Sequence, residues 1–263
     1  MNYAEGGTLW DVLESSPHDG RILEHDLNWW TPQIVSALNW CHGQGFAHRL
    51  ALLLIFVPTL NNLSDVKPHN FVITSNAHLL LIDFGSAAPL LPPKLDGTRL
   101  LPKRYCLLPC GTCDYISPEI LKAHEEALVA LEMDSDEEEI QPAKRSIKEE
   151  EETGYGAETD WWSVGAMLYE MTFGVAPFFA NDIRQTYLRI INHEVSKHLS
   201  FMGIHLTIAQ HQRSLKFDGS IAVSKEYQHF ISRLVVSSVA KLFIDIMKAA
   251  DGRRETTGSL WDW

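Results

Sequence analysis

A regular spacing of apolar residues near the start of the chain predicts a helix over Asp26–His42. The apolar positions recur every three or four residues, at Leu27, Trp30, Ile34, Leu38 and Cys41, with Trp29 and Val35 beside them. Proline is tolerated in the first turn of a helix but not in its interior. Pro32 therefore predicts that this helix starts near Thr31.

A second segment, Asp160–Phe173, is apolar on almost every side of a helical projection. A helix of that kind is buried in the centre of a domain rather than laid on its surface. Weaker patterns predict three further helices, at Ser117–Leu131 with Pro118 at its start, at Ile183–His193 and at Lys225–Val236.

Strand signals are few and short. Phe71–Ile73 and Leu79–Ile82 are apolar runs joined by a polar Thr-Ser-Asn-Ala-His segment, which predicts a hairpin. Leu90–Cys113 is rich in Pro and Gly and reads as loop. The chain is therefore expected to be an α+β protein, mainly α-helical, with a small β-hairpin.

The composition narrows the class of protein. The chain has 263 residues, of which 45% are hydrophobic and 21% charged, a balance typical of a globular protein with a core. Its net charge is −12, and the stretch Glu125–Glu152 alone carries 12 acids and 3 bases, so nucleic-acid binding is not expected. An acidic loop is expected at about 125–153, and the charged tract Asp134–Thr153 within it is expected to be disordered. No membrane span is expected, and four cysteines without a secretion signal favour a cytoplasmic location.

Four short motifs follow one another along the chain. They are Asp65-Val-Lys-Pro-His-Asn70, Asp83-Phe-Gly85, Gly111-Thr-Cys-Asp-Tyr-Ile-Ser-Pro-Glu119 and Asp160-Trp-Trp-Ser-Val-Gly165. Each alone is weak, since an Asp-Phe-Gly triplet occurs by chance in many turns. In this order and at these gaps they resemble the C-terminal lobe of a eukaryotic protein kinase.

The resemblance is closest to one branch of the Ser/Thr kinases. Asp83-Phe-Gly-Ser-Ala-Ala88, Leu108-Pro-Cys-Gly111 and Pro177-Phe-Phe179 are similar to the AGC group, in particular to the citron, Rho-kinase and myotonic-dystrophy kinases. Lys67 together with Thr112 is typical of Ser/Thr rather than tyrosine kinases. The resemblance implies a protein substrate and, as a further option, a regulatory protein partner.

The resemblance also implies the roles of the site residues and the cofactors ATP and Mg²⁺. Asp65 would accept the proton of the substrate hydroxyl, Lys67 would lie near the transferring phosphate, and Thr112 would tie the substrate loop to both. Asn70 and Asp83 carry hard oxygen donors suited to Mg²⁺.

The first residues of the chain resemble the hinge between the two kinase lobes. The backbone of Tyr3 and Ala4 would face adenine, Thr8 would lie near the ribose, and Val72 would form part of the adenine floor. For Val72 an ordinary strand position is an equal alternative.

Two residues outside these roles are also interpreted through the resemblance. Asp160 would hold the catalytic loop by its backbone, and the helix N-cap is a compatible alternative. His48 is interpreted as a packed histidine of the catalytic loop.

The chain departs from the family pattern in several places. Because it starts in the hinge, the N-terminal lobe is expected to be absent. His48-Arg49 is separated from Asp65 by fifteen residues, Leu50–Ser64, where the family has no gap, and Val195–Gln212 is a second insert. The expected organisation is a kinase C-lobe at 1–234, with inserts at 50–64 and 195–212, followed by a divergent tail at 235–263.

These departures leave three interpretations of the chain. It is a Ser/Thr kinase in a truncated, impaired form, a pseudokinase that binds partners without catalysis, or a non-functional translation product. One hypothesis for the inserts is that they are introns read as protein.

Overall fold

The computed structural model describes residues 6–48, 66–95, 97–102, 105, 113–134, 154–198 and 215–235. These residues form an α+β fold in which helices predominate. The helices are α1 Leu9–Glu14, α2 Glu24–Gly43, α3 Pro118–Asp134, α4 Glu158–Phe173, α5 Ile183–His198 and α6 Lys225–Leu234. The strands are β1 Phe46–Ala47, β2 Phe71–Ile73, β3 Leu79–Leu81, β4 Ala88–Pro89, β5 Leu100–Pro102 and β6 Gly154–Gly156. They pair antiparallel as β1–β4, β2–β3 and β5–β6.

Helix α4 is the centre of the core, as its all-round apolar sequence predicted. Trp161 and Trp162 are each 1% exposed, and nearly every other residue of the helix is buried. The helix ends at Gly174, which takes a left-handed conformation (φ 78°) and donates its N–H to the carbonyl of Glu170 at 2.7 Å. A glycine is suited to this cap because it adopts positive φ without a steric penalty.

Helix α2 corrects the prediction that was drawn from Pro32. The helix runs from Glu24 through Pro32 to Gly43, so its start near Thr31 was wrong. An interior proline removes one hydrogen bond and disfavours the helix by about 3 kcal/mol. Burial of the apolar face outweighs that penalty, because Leu27, Ile34 and Leu38 are all 0% exposed.

The hairpin of β2 and β3 is confirmed. Phe71 pairs with Leu81, Val72 with Leu80 and Ile73 with Leu79. Ala77 turns the chain with a positive φ of 61°. The side chains of Phe71, Ile73 and Leu79 are buried, so the hairpin rests one face on the core.

The predictions for the remaining elements were correct for some bounds and wrong for others. Helix α3 begins at Pro118 as expected, and α6 ends at Leu234, two residues before the expected end. Helix α5 continues to His198, so the first four residues assigned to the second insert extend a helix. The pairing of β5 with β6 was missed, because three-residue strands carry too little alternation to be recognised.

Several predictions lie outside the described residues: the first insert, the rest of the second, the acidic loop beyond Asp134 and the tail after Val235. Among the helices that the structure does describe, none combines the length and the apolar character needed to cross a membrane.

Candidate active site

The hairpin gathers three of the predicted site residues at one end. Asn70 closes a 3-10 helix at Pro68–Asn70, and its N–H donates to the carbonyl of Lys67 at 3.0 Å. The carbonyl of Asn70 in turn accepts from the N–H of Ile82 at 2.9 Å. Since Asp83 follows Ile82 directly, the register of the hairpin brings Lys67, Asn70 and Asp83 to the same end.

Asp83 has an unusual backbone conformation. Its φ is 60°, and one carboxylate oxygen, Oδ1, accepts from the N–H of Gly85 at 3.3 Å. A left-handed conformation in a residue other than glycine is disfavoured by about 1–2 kcal/mol. Residues of this kind cluster at functional sites, where the surrounding structure holds them in place. Asp83, whose side chain is exposed, and Asn70, whose side chain is buried, are therefore carried on backbone segments that the hairpin register joins.

His48 connects this end of the hairpin with the core helix. Its side chain is 0% exposed, and its Nε2 donates to the carbonyl of Ile82 at 3.0 Å. Its ring meets the ring of Phe84 edge-on, with the centroids 5.0 Å apart. Its backbone N–H donates to Oδ2 of Asp160 at 2.9 Å. The expected packed histidine and the expected bond from Asp160 to this backbone are both confirmed.

Asp160 also binds a histidine that the sequence reasoning missed. Nε2 of His42 donates to the same Oδ2 of Asp160 at 2.8 Å, and both side chains are buried. The N-cap alternative for Asp160 was wrong, because Ala157 is the N-cap of α4 and Asp160 is the third residue of the helix. The sequence did contain one signal for a buried His42, because it lies four residues after Leu38 and so on the same face of α2.

The first described residues run beside β2. The N–H of Gly6 donates to the carbonyl of Ile73 at 3.0 Å, and the N–H of Ile73 donates to the carbonyl of Gly7 at 2.8 Å. Thr8 forms a bridge with Val72, so two of the residues predicted to contact ATP are neighbours. The hydroxyl of Thr8 is engaged in a capping box with Asp11 at the start of α1.

The comparison with known families agrees with this arrangement. The family model described as "Protein kinase domain" matches residues 1–134 and 143–241. The chain belongs to the protein kinase domain family.

Its relatives are Ser/Thr kinases of the branch expected from the motifs. Over 74% of its own length, the chain is 30% identical to "Rho-associated protein kinase let-502" of Caenorhabditis briggsae. It is 31% identical to "Serine/threonine-protein kinase MRCK gamma" of Mus musculus over 76%, and 28% identical to "Citron rho-interacting kinase" of Rattus norvegicus over 89%. The aligned regions cover 12%, 10% and 8% of these relatives, which are therefore much longer than this chain.

Four of the predicted kinase site residues lie outside the described part of the chain: Tyr3, Ala4, Asp65 and Thr112. Their roles stay predictions. Of the other five, Lys67, Asn70 and Asp83 come together at the hairpin end, and Thr8 and Val72 pair beside it.

The kinase domain also carries a half-buried carboxylate that the motifs did not assign to catalysis. The hydroxyl of Tyr115 donates to the carboxylate of Glu170 on α4. Burial raises the pKa of Glu170, while the bond from Tyr115 opposes the rise and the charge of Asp114 adds to it. The carboxylate therefore retains its proton more strongly than an ordinary glutamate.

The donors at the hairpin end suit a magnesium ion bound together with a phosphate. Within the described ranges, no group of three or more His, Cys, Asp or Glu side chains could hold a metal by itself. Magnesium in phosphoryl-transfer enzymes takes one or two protein oxygens, with water and substrate phosphates completing its shell. The amide of Asn70 and the carboxylate of Asp83 fit this mode of binding.

Proposed function

We propose that this kinase domain transfers the γ-phosphate of ATP to serine or threonine of a protein substrate. The observation that carries the proposal is the convergence of Lys67, Asn70 and Asp83 at one end of the hairpin. The proposal is supported by the relatives of the chain, which include proteins named as Ser/Thr kinases.

The chemistry of phosphoryl transfer needs positioned charge more than covalent catalysis. Lys67 supplies a compact positive charge beside the transferring phosphate. Asp65, two residues earlier, accepts the proton of the attacking hydroxyl, and Thr112 positions the substrate loop. His48 is hydrogen-bonded to Asp160 and to the carbonyl of Ile82. It therefore supports the backbone beside the candidate site.

The nucleotide would lie beside β2. Asn70 and Asp83 would hold Mg²⁺, the backbone of Tyr3 and Ala4 would face adenine, and Thr8 and Val72 would flank the ribose and the base. When bound, MgATP supplies the phosphoryl group with part of its negative charge neutralised.

We further propose the organisation that the motifs suggest. Residues 1–234 form the helical lobe of the kinase, with inserts at 50–64 and 195–212, the second of which begins within α5, and with an acidic segment at about 125–153 that begins within α3. Residues 235–263 form a divergent tail. A cytoplasmic location and a regulatory protein partner are inferred from the family alone.

The test is transfer of labelled phosphate from ATP to Ser/Thr peptides, with two matched variants. Asp83→Asn removes the charge at the hairpin end, and it is expected to lower kcat by about a hundredfold or more. Asp19→Asn is the control, because Asp19 is also exposed and also has a positive φ, 57°. Equal rates for Asp83→Asn and the unchanged protein would refute the proposal.

A second candidate function is a pseudokinase, a binding module that transfers no phosphate. The fifteen residues between Arg49 and Asp65 favour it, because a catalytic constellation tolerates displacements of only about 0.5 Å. We therefore expect transfer to be slow. Binding of a non-hydrolysable ATP analogue with Mg²⁺, without any transfer that depends on Asp83, would establish the pseudokinase instead.

A further inference from the structure

The candidate site contains an aromatic contact that the proposed roles do not use. The rings of Trp10 and His69 are stacked, with centroids 4.4 Å apart and planes inclined by 16°. A stacked pair of this kind changes a conformational equilibrium by about twofold to tenfold. His69 lies between the two candidate site residues Lys67 and Asn70.

Trp10 projects from a firmly held helix. Thr8 and Asp11 form a capping box at the start of α1, and Leu9 and Leu13 are 0% and 4% exposed. The chain just before the helix is hydrogen-bonded to Ile73 of β2 in both directions. The backbone that carries Trp10 is therefore held in place by α1 and β2.

His69 is the exposed member of the 3-10 helix that it occupies. Pro68 and Asn70 on either side are buried. Trp10 covers one face of the imidazole. The stack therefore connects the solvent-exposed side of the 3-10 helix to α1. The backbone bonds of Asn70 with Lys67 and Ile82 join the same turn to the hairpin.

The charges around His69 come from both elements that pack together here. Burial lowers the pKa of His69 and the charge of Lys67 lowers it further, whereas Asp11 and Glu14 on α1 oppose the shift. The surroundings therefore disfavour the charged form of the imidazole.

We propose that Trp10 is a positioning residue of this kinase domain: by stacking on His69 it holds the turn that carries Lys67 and Asn70 against α1. The proposal rests on the proposed function for the roles of Lys67 and Asn70. The stack itself and its effect on the turn can be measured without phosphate transfer.

The first experiment measures amide hydrogen exchange of the chain without nucleotide. Trp10→Leu is expected to speed exchange of the Asn70 amide about fivefold relative to the Gly174 amide, because the turn opens more often. Trp10→Phe, which keeps an aromatic face, is expected to restore most of the protection. Trp40→Leu is the control, since Trp40 is 63% exposed on α2. An unchanged Asn70-to-Gly174 ratio in Trp10→Leu would overturn the proposal.

Variants at His69 test the same contact from the other side. His69→Gln is expected to speed Asn70 exchange as Trp10→Leu does, and the double variant to add little to either single change. Additive effects would show that the two residues act separately, against the proposal. Should Trp10→Leu not fold, His69→Gln and Trp10→Phe decide the question alone.

Kinetics separates positioning from a general loss of structure. In Trp10→Leu kcat is expected to fall about tenfold, with KM for ATP within about twofold. A chain that transfers no phosphate would refute the proposed function and leave the exchange result standing. An unchanged kcat in an active chain would overturn the positioning role.

Discussion

Among single residues, Asp160 joins the most parts of the candidate site. It lies on the core helix and accepts hydrogen bonds from the backbone of His48 and the ring of His42. All three groups are buried. Removal of the carboxylate would therefore leave the two histidine donors without a partner, and water could not take its place. The resemblance predicted the bond to the His48 backbone, but the bond to His42 needed the relative placement of α2 and α4, which no local pattern contains.

The first prediction concerns this carboxylate. Asp160→Ala is expected to lower the free energy of unfolding by about 3 kcal/mol, because it leaves buried donors unpaired. Asp26→Ala is a matched control: Asp26 is likewise the third residue of its helix but is exposed, so a loss of at most about 1 kcal/mol is expected. Urea unfolding measures both. Similar losses in the two variants would contradict the role given to Asp160.

The second prediction concerns Glu170 and pH. Its pKa is raised in the folded protein, so the folded state binds this proton more tightly than the unfolded state does. The stabilising contribution is therefore full below the ordinary pKa of glutamate and is lost as the pH rises through the raised value. Glu170→Gln, which still offers an oxygen to Tyr115, is expected to gain stability relative to the unchanged protein as the pH rises above about 4.3, the ordinary pKa of glutamate. Parallel stability curves over that range would contradict the assignment.

At the scale of elements, the packing of α4 against α6 depends on one glycine. A Cβ added at Gly165 would lie 2.7 Å from Cβ of Leu234 and 2.7 Å from Cγ2 of Val235. Leu234 is 2% exposed and Val235 is 0% exposed, so neither can move into solvent without losing burial. The two helices approach this closely only because Gly165 has no side chain.

The third prediction follows from this approach. Gly165→Ala is expected to destabilise the fold by about 1–3 kcal/mol through overpacking. Gly43→Ala is the control, because Gly43 is also helical but a Cβ there would meet nothing within 4 Å. That variant is expected to be neutral or slightly stabilising. Thermal unfolding of the two variants measures the difference, and equal melting temperatures would contradict the close packing.

Long elements could be predicted from the sequence because their burial leaves a repeated pattern. Asp160–Phe173 reads as a buried helix since nearly every residue in it is apolar, and α3 begins at Pro118 because proline fits a first turn. Pro32 misled the same reasoning, because tertiary burial of α2 outweighed a local preference. The pairing of Leu100–Pro102 with Gly154–Gly156 joins segments far apart in the chain, and no local signal marks it.

At the scale of the whole molecule, the described fold positions five of the predicted site residues. The other four lie outside the described part of the chain, and their roles are left to be tested. The placement of Lys67, Asn70 and Asp83 at one end of the hairpin could be predicted because short motifs carry them and a hairpin joins the motifs. Their roles stay predictions. The stack of Trp10 on His69 could not, because it joins two residues that are 59 positions apart in the sequence. We expect the interruption between Arg49 and Asp65 to slow the proposed phosphate transfer.

The most direct test of the account is the transfer rate of a variant that lacks Leu50–Ser64, so that Asp65 follows Arg49 directly. The rate of phosphate transfer from ATP to Ser/Thr peptides is compared with that of the unchanged chain. A rise of at least about a hundredfold is expected, since the break between Arg49 and Asp65 would be removed, and this gain should be lost on Asp83→Asn. Absence of transfer in the shortened chain, with its fold and its binding of MgATP intact, would contradict the proposal that this domain is a kinase.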